Sequence, residues 1–160
     1  MIKTATAVRQ LTLLEEVMLY EHSGLVERFQ DKLCLNEGDA LELFVDTKRF
    51  LFLCGTNKGQ FAPPHQVDEG WHHFILFTKD YEVFCRHYFG RFLHHSPKTR
   101  EDKKKGDREI VPRTLMVAKG IFGPTLSANW VYAKTAEGDC EGSTNCQQKE
   151  CVQGDCTKVD

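Results

Sequence analysis

Asn36-Glu-Gly-Asp-Ala-Leu-Glu-Leu-Phe-Val-Asp-Thr-Lys-Arg-Phe-Leu-Phe-Leu-Cys-Gly55 decides the fold. Asn36 supplies a capping oxygen at the head of the stretch, and Leu41, Phe44, Val45 and Leu51 then recur at helical spacings on one side. Gly55 reads as the terminator. The last turn, Phe50 to Cys54, is apolar all round, and a helix end with no polar face has to be buried, so this segment is expected at the centre of the domain. A short strand stays the alternative, because so brief a run does not separate the two periods.

The same period extends outward. Residues 8 to 20 set Val8, Leu11, Leu14, Val17 and Met18 on one stripe, with Glu15 and Glu16 on the wet side. Ser23 is expected to cap a second helix carrying Leu25, Val26, Phe29 and Leu33. Beyond Gly55, the Pro63-Pro64 pair marks a loop and keeps the chain extended before a fourth helix, from about Val67 to Phe77. Thr78 is the expected cap of a fifth, with Tyr81, Phe84, Cys85, Tyr88 and Phe89 inside and Gly90 as a left-handed stop. Ser96-Pro97 opens a basic, exposed sixth. Pro112 opens a seventh with Leu115, Ala118, Ile121 and Phe122 on its inner face, ended by Gly123-Pro124. Neither strand alternation nor an internal repeat is present. The reading is all-α, a compact bundle of about six to seven short helices.

Length and charge narrow the rest. The 160 residues suit one domain, here residues 6–132, and 21 basic against 23 acidic side chains leave a net charge of −2, with no field to draw in nucleic acid or acidic lipid. Lys103-Lys104-Lys105 is interleaved with Glu101, Asp102, Asp107 and Glu109, a solvated helix face rather than a nucleic-acid stripe. Neither a signal-type apolar segment nor a membrane span is found, so a cytoplasmic protein with reduced thiols is expected. Residues 133–160 hold only Val152 and Val159 as aliphatics beyond alanine. That composition cannot build a core and predicts a flexible tail.

Two clusters carry possible chemistry. Six of the seven histidines lie between positions 65 and 95, and Asp68 and His72 stand four apart on one helix face. Asp68 either fixes the tautomer of His72 or joins it as a ligand, together with His65 or with His94 and His95. Imidazole and carboxylate donors suit zinc or iron. The competing reading makes these histidines packing or solvated residues. Neighbours such as His72-His73 and His94-His95 point about 100° apart on a helix, so one of each pair at most faces a given site. In the tail, Cys140, Cys146, Cys151 and Cys156 give C-x5-C-x4-C-x4-C, enough thiolates for zinc or copper(I), though without the two-residue knuckle; disulfides or no defined site are the alternatives. Cys34, Cys54 and Cys85 read as core thiols.

Asp68, Trp71, His72, Ile75, Leu76, Tyr81, His94, His95 and Pro97 form a motif that resembles the glycine-rich domain-containing protein-like family, over roughly residues 8 to 130. The resemblance implies a compact helical domain without an assigned reaction and groups Asp68, Trp71, His72 and His94 or His95 into one constellation. The tail departs from it by lacking a glycine run. Two functions follow: a small metal-binding protein built on that constellation, or an interaction module whose helical domain binds a protein partner and whose histidines are structural.

Overall fold

The stretch from Asn36 forms one long helix, α3, Glu37–Thr56, with the Asn36 side chain accepting from the Asp39 N–H at 2.9 Å. The computed structural model describes residues 12–96 and 107–131. Within them the order is α1 (12–19), α2 (Ser23–Leu33), α3, α4 (His65–Ile75), α5 (Thr78–Phe89), α6 (Asp107–Phe122) and a 3-10 turn at Ala128–Trp130. No strand occurs among the described residues, so the chain is all-α and Phe50–Cys54 is helical.

Helix α3 is central because it has no wet side to spare in its second half. It touches α2, α4, α5, α6 and the 3-10 turn. Phe50, Leu51, Phe52 and Leu53 are all buried, each contributing roughly 1.5–3 kcal/mol against exposure. Around them Phe44, Phe74, Tyr81 and Phe84 pack edge to face, with Phe74 in contact with all three others at 5.2 to 5.9 Å between ring centroids. Six of the eleven phenylalanines, Phe29, Phe44, Phe50, Phe52, Phe74 and Phe84, are buried in this core.

Polar side chains on α3 are buried too, and each has a partner. Lys48 donates from Nζ to the carbonyls of Met18 at 2.7 Å and Tyr20 at 2.8 Å, and lies 4.6 Å from the Phe44 centroid. It thereby caps the carbonyl end of α1, where a cation is favoured. Thr47 donates to the Leu43 carbonyl at 2.8 Å. Asp46 accepts from Arg49, Ser127, Asn129 and Trp130 and fastens the segment after α6 to α3. Among the described residues, no buried side-chain nitrogen or oxygen lacks a hydrogen-bond partner.

Several boundaries differ from the sequence reading. Ser23 is the first residue of α2 rather than its cap. The cap is His22, whose Nδ1 accepts from the Leu25 N–H at 3.0 Å, an imidazole lone pair taking the hydroxyl's role. Thr78 likewise begins α5 without capping it, and α4 starts at His65 and ends at Ile75. Gly55 lies inside α3; a Cβ there would come within 2.3 Å of the Phe89 ring, so the glycine serves the α3–α5 approach, not a stop. Gly90 does end α5 in the left-handed region, at φ 69°. Pro112 sits inside α6, which begins at Asp107, so the proline costs one hydrogen bond in the second turn. Leu41 and Ile121, expected on inner faces, are 48% and 38% exposed. Cys34 is no core thiol; it is exposed at the left-handed cap of α2, φ 53°. The sixth helix expected after Ser96, and the tail, lie outside the described residues.

Burial sets an alkaline limit. It pushes the Cys54 thiol from 9.0 up to about 12 and raises Cys85 and the phenols of Tyr20, Tyr81 and Tyr88. Below pH 9.0 the thiol is protonated in folded and unfolded chains alike, and its contribution is complete; between there and about 12 only the unfolded chain loses the proton, so stability falls. Lys48 runs the other way. Desolvation lowers it from 10.5 to about 8, and between those values the unfolded chain binds the extra proton, so stability rises. The thiols and phenols outnumber the one lysine. Urea midpoints should hold or rise slightly from about pH 7 to about pH 9 and fall beyond it, and a flat profile to about pH 11 would contradict these burials.

Candidate functional site

Helix α4 and the segment that follows α5 make the site. Pro64, in an extended conformation, precedes α4 and its carbonyl accepts from the Asp68 N–H at 2.9 Å, which fixes Asp68 in the first turn. Asp68 is there favoured by the positive end of the helix. One turn later comes His72, on the same face. Gly90 then reverses the chain out of α5 so that residues 91–96 run back to α4. Leu93 is buried, and the ring of His95 settles on Trp71 at 4.4 Å between centroids, inclined at 65°.

The result is a three-residue cluster. His95 Nε2 lies 3.0 Å from Asp68 Oδ1, His72 Nδ1 lies 3.8 Å from Asp68 Oδ2, and the two imidazole centroids are 4.3 Å apart. One donor atom from each of Asp68, His72 and His95 falls within 4.8 Å of the others. Ligands of one zinc ion at about 2.0–2.1 Å lie roughly 3–4 Å apart, so small side-chain rotations close the set. The side chains grade outward, with His95 13% exposed, Asp68 30% and His72 44%. Solvent therefore reaches the cluster from the His72 side.

The remaining expected ligands go elsewhere. His65 is exposed at the first position of α4, and His94 is exposed with its ring against Phe92 at 4.8 Å. His73 turns toward α2, where its Nδ1 accepts from Arg28 Nε at 2.9 Å. Burial and the Arg28 guanidinium lower its pKa, so it stays neutral beside its exposed neighbour. Cys140, Cys146, Cys151 and Cys156 lie outside the described residues. Sequence reasoning missed Glu69, whose Oε1 is 3.7 Å from His72 Nδ1, although its place three residues before His72 was a usable signal.

Trp71 and Tyr81 back the cluster. Trp71 Nε1 donates to the Tyr81 hydroxyl at 2.8 Å, and that hydroxyl donates to the Leu93 carbonyl at 2.7 Å. Burial raises the Tyr81 pKa, which keeps the phenol protonated and able to donate.

Comparison with known proteins corrects the resemblance to the glycine-rich domain-containing protein-like family. The family model that matches is that of a different, uncharacterised family, UCP032817-like, and it covers residues 11–118. It includes every residue of the cluster and brings no reaction or ligand with it. No curated protein and no solved structure matches the chain. With more than half of its residues under that one match, the chain belongs to the UCP032817-like family.

Proposed function

We propose that the protein binds a divalent transition metal, zinc or iron(II), through Asp68, His72 and His95. The observation that carries this reading is the convergence of two imidazoles and one carboxylate, drawn from two separate segments, within 4.8 Å. Two nitrogen donors and one oxygen donor suit either ion. Three protein ligands leave further coordination positions open, and the exposed His72 edge puts water at them. Such an open position is what a reactive metal needs, whereas a closed four-ligand cage serves structure alone.

The test is a zinc titration of the full chain, purified without an affinity tag, in wild type and in a form with all four tail cysteines changed to serine. Both should bind one equivalent at the same site. Asp68→Ala and His95→Ala should each weaken it by more than about 100-fold, beyond what a supporting residue typically costs. Absence of stoichiometric binding, or binding that survives both substitutions, defeats the reading.

One observation favours the other function. The 3.0 Å Asp68–His95 pair already satisfies both groups without an ion, docking residues 91–96 on α4, as a structural histidine does. Leu76 and Val83, both exposed, would then be part of a partner-binding face. The same titration separates the two, since an interaction module takes up no stoichiometric metal.

A further inference from the structure

The cluster exists only while two elements keep their distance. Asp68 and His72 belong to α4, and His95 belongs to the segment after Gly90, 27 positions from Asp68 along the chain. Besides the Asp68–His95 pair itself, hydrogen bonds from other elements reach this segment on both sides of Phe92. Arg91 Nη2 reaches the Cys54 carbonyl at 2.8 Å, four residues before His95 and on the exposed side. Nearer to His95, the Leu93 carbonyl accepts a hydrogen bond from the Tyr81 hydroxyl.

That hydroxyl holds both sides at once. The Tyr81 oxygen, fully buried, accepts from Trp71 on α4 and donates to Leu93 on the segment. Trp71 is next to His72 in sequence, and its indole is also the surface on which His95 rests. Leu93 is two residues before His95. The Tyr81 ring adds a contact to the same segment, standing edge to face with Phe92 at 5.2 Å. A phenol has one O–H donor and acceptor lone pairs on a single atom, so it can fix a donor and an acceptor within one hydrogen-bond length each.

We infer that Tyr81 is a positioning residue for the ligand set, its hydroxyl fixing the separation of α4 from residues 91–96 and thereby the Asp68, His72 and His95 triangle. This rests on the metal-binding reading above. Phenylalanine at position 81 keeps the ring but leaves the indole N–H of Trp71 and the carbonyl of Leu93 buried without partners. The two elements then relax apart, and water enters where the hydroxyl was. An ion that needs all three donors at one point feels that displacement directly. Residues that orient metal ligands from behind typically change affinity by about 10- to 100-fold, which is the loss expected for Tyr81→Phe.

Loss of stability alone must be told apart from loss of position. The full-length wild type, Tyr81→Phe and Trp130→Phe are titrated with zinc and then with cobalt(II), whose visible absorption reports coordination geometry. Trp130→Phe removes an indole hydrogen bond of similar kind, to Asp46 on α3, from a 3-10 turn that packs on α4 but gives the cluster no ligand. The expected result is a drop of about 10- to 100-fold in zinc affinity and an altered cobalt spectrum for Tyr81→Phe, with Trp130→Phe like wild type. Should Tyr81→Phe fail to fold, Trp71→Phe removes the donor to the same oxygen, together with part of the indole surface under His95, and should show the same spectral change. Wild-type affinity and spectrum in the folded variant overturn the role of Tyr81 and leave the metal site standing. No cobalt or zinc uptake by the wild type overturns the metal site and this inference together.

Discussion

Asp46→Ala should be the most damaging single substitution among the polar residues of the fold, lowering stability by about 3–5 kcal/mol. The carboxylate is buried on α3, where it accepts from Trp130 Nε1 at 2.8 Å, from Asn129 Nδ2 at 3.0 Å, from Arg49 Nη1 at 3.1 Å and from the Ser127 hydroxyl. Alanine deletes the acceptor and leaves all four donors in place. The indole N–H and part of the guanidinium then face apolar surface, and a buried donor without a partner loses far more than an average hydrogen bond gains. A small domain has only about 5–15 kcal/mol in total, so this variant should approach the unfolding threshold. Urea unfolding followed by far-ultraviolet circular dichroism measures the loss, and red-shifted tryptophan emission should report release of Trp130. Asp46→Asn keeps one carbonyl acceptor and should lose less. An alanine variant within about 1 kcal/mol of wild type would show that the four donors find other partners easily.

Gly70→Ala should destabilise by about 1–3 kcal/mol even though alanine is the better helix former by up to about 1 kcal/mol. A Cβ at position 70 would stand 2.2 Å from Thr47 Oγ1 and 3.3 Å from two carbons of Leu43. Thr47 has little room to yield, since it is fully buried and its hydroxyl is held by the Leu43 carbonyl. Helix α4 would have to lift from α3 just where it presents Asp68 and His72. Gly120 is the internal control. It too lies within a helix, but nothing occupies the space its Cβ would take, so Gly120→Ala should be neutral or slightly stabilising. Thermal unfolding should come earlier for Gly70→Ala and hold or come slightly later for Gly120→Ala, and an unchanged or raised midpoint for Gly70→Ala would mean that the α3–α4 contact is slack.

Much of the fold was legible because helical period and apolar surface coincide. The apolar last turn of α3 required burial on every side, and it has it. Asp46 and Lys48 were not legible, for the partners that bury them are distant: the segment at Ser127–Trp130 and backbone carbonyls at the end of α1. Hydropathy places such residues in water, and only tertiary hydrogen bonds overrule it. The capping role of His22, a helix-end residue, was not legible because residue type favours Ser23, while the lone pair that accepts belongs to an imidazole. At the site, the spacing of Asp68 and His72 announced their shared face. The choice of His95 over His94 carried no such signal. Both lie beyond α5, where helical period gives no direction, and the burial of Leu93 under Tyr81 decides which ring turns inward.

The Asp46 attachment also bears on the order in which the chain assembles. Its bond to Trp130 closes a loop of 84 residues, whereas α2, α3 and α4 pack on one another across short connections. Closing the longer loop costs more chain entropy and is repaid only once α3 already stands in place. The C-terminal segment should therefore dock after the rate-limiting step. The penalty of Asp46→Ala then appears as a faster unfolding limb in a chevron plot, with the refolding limb almost unmoved.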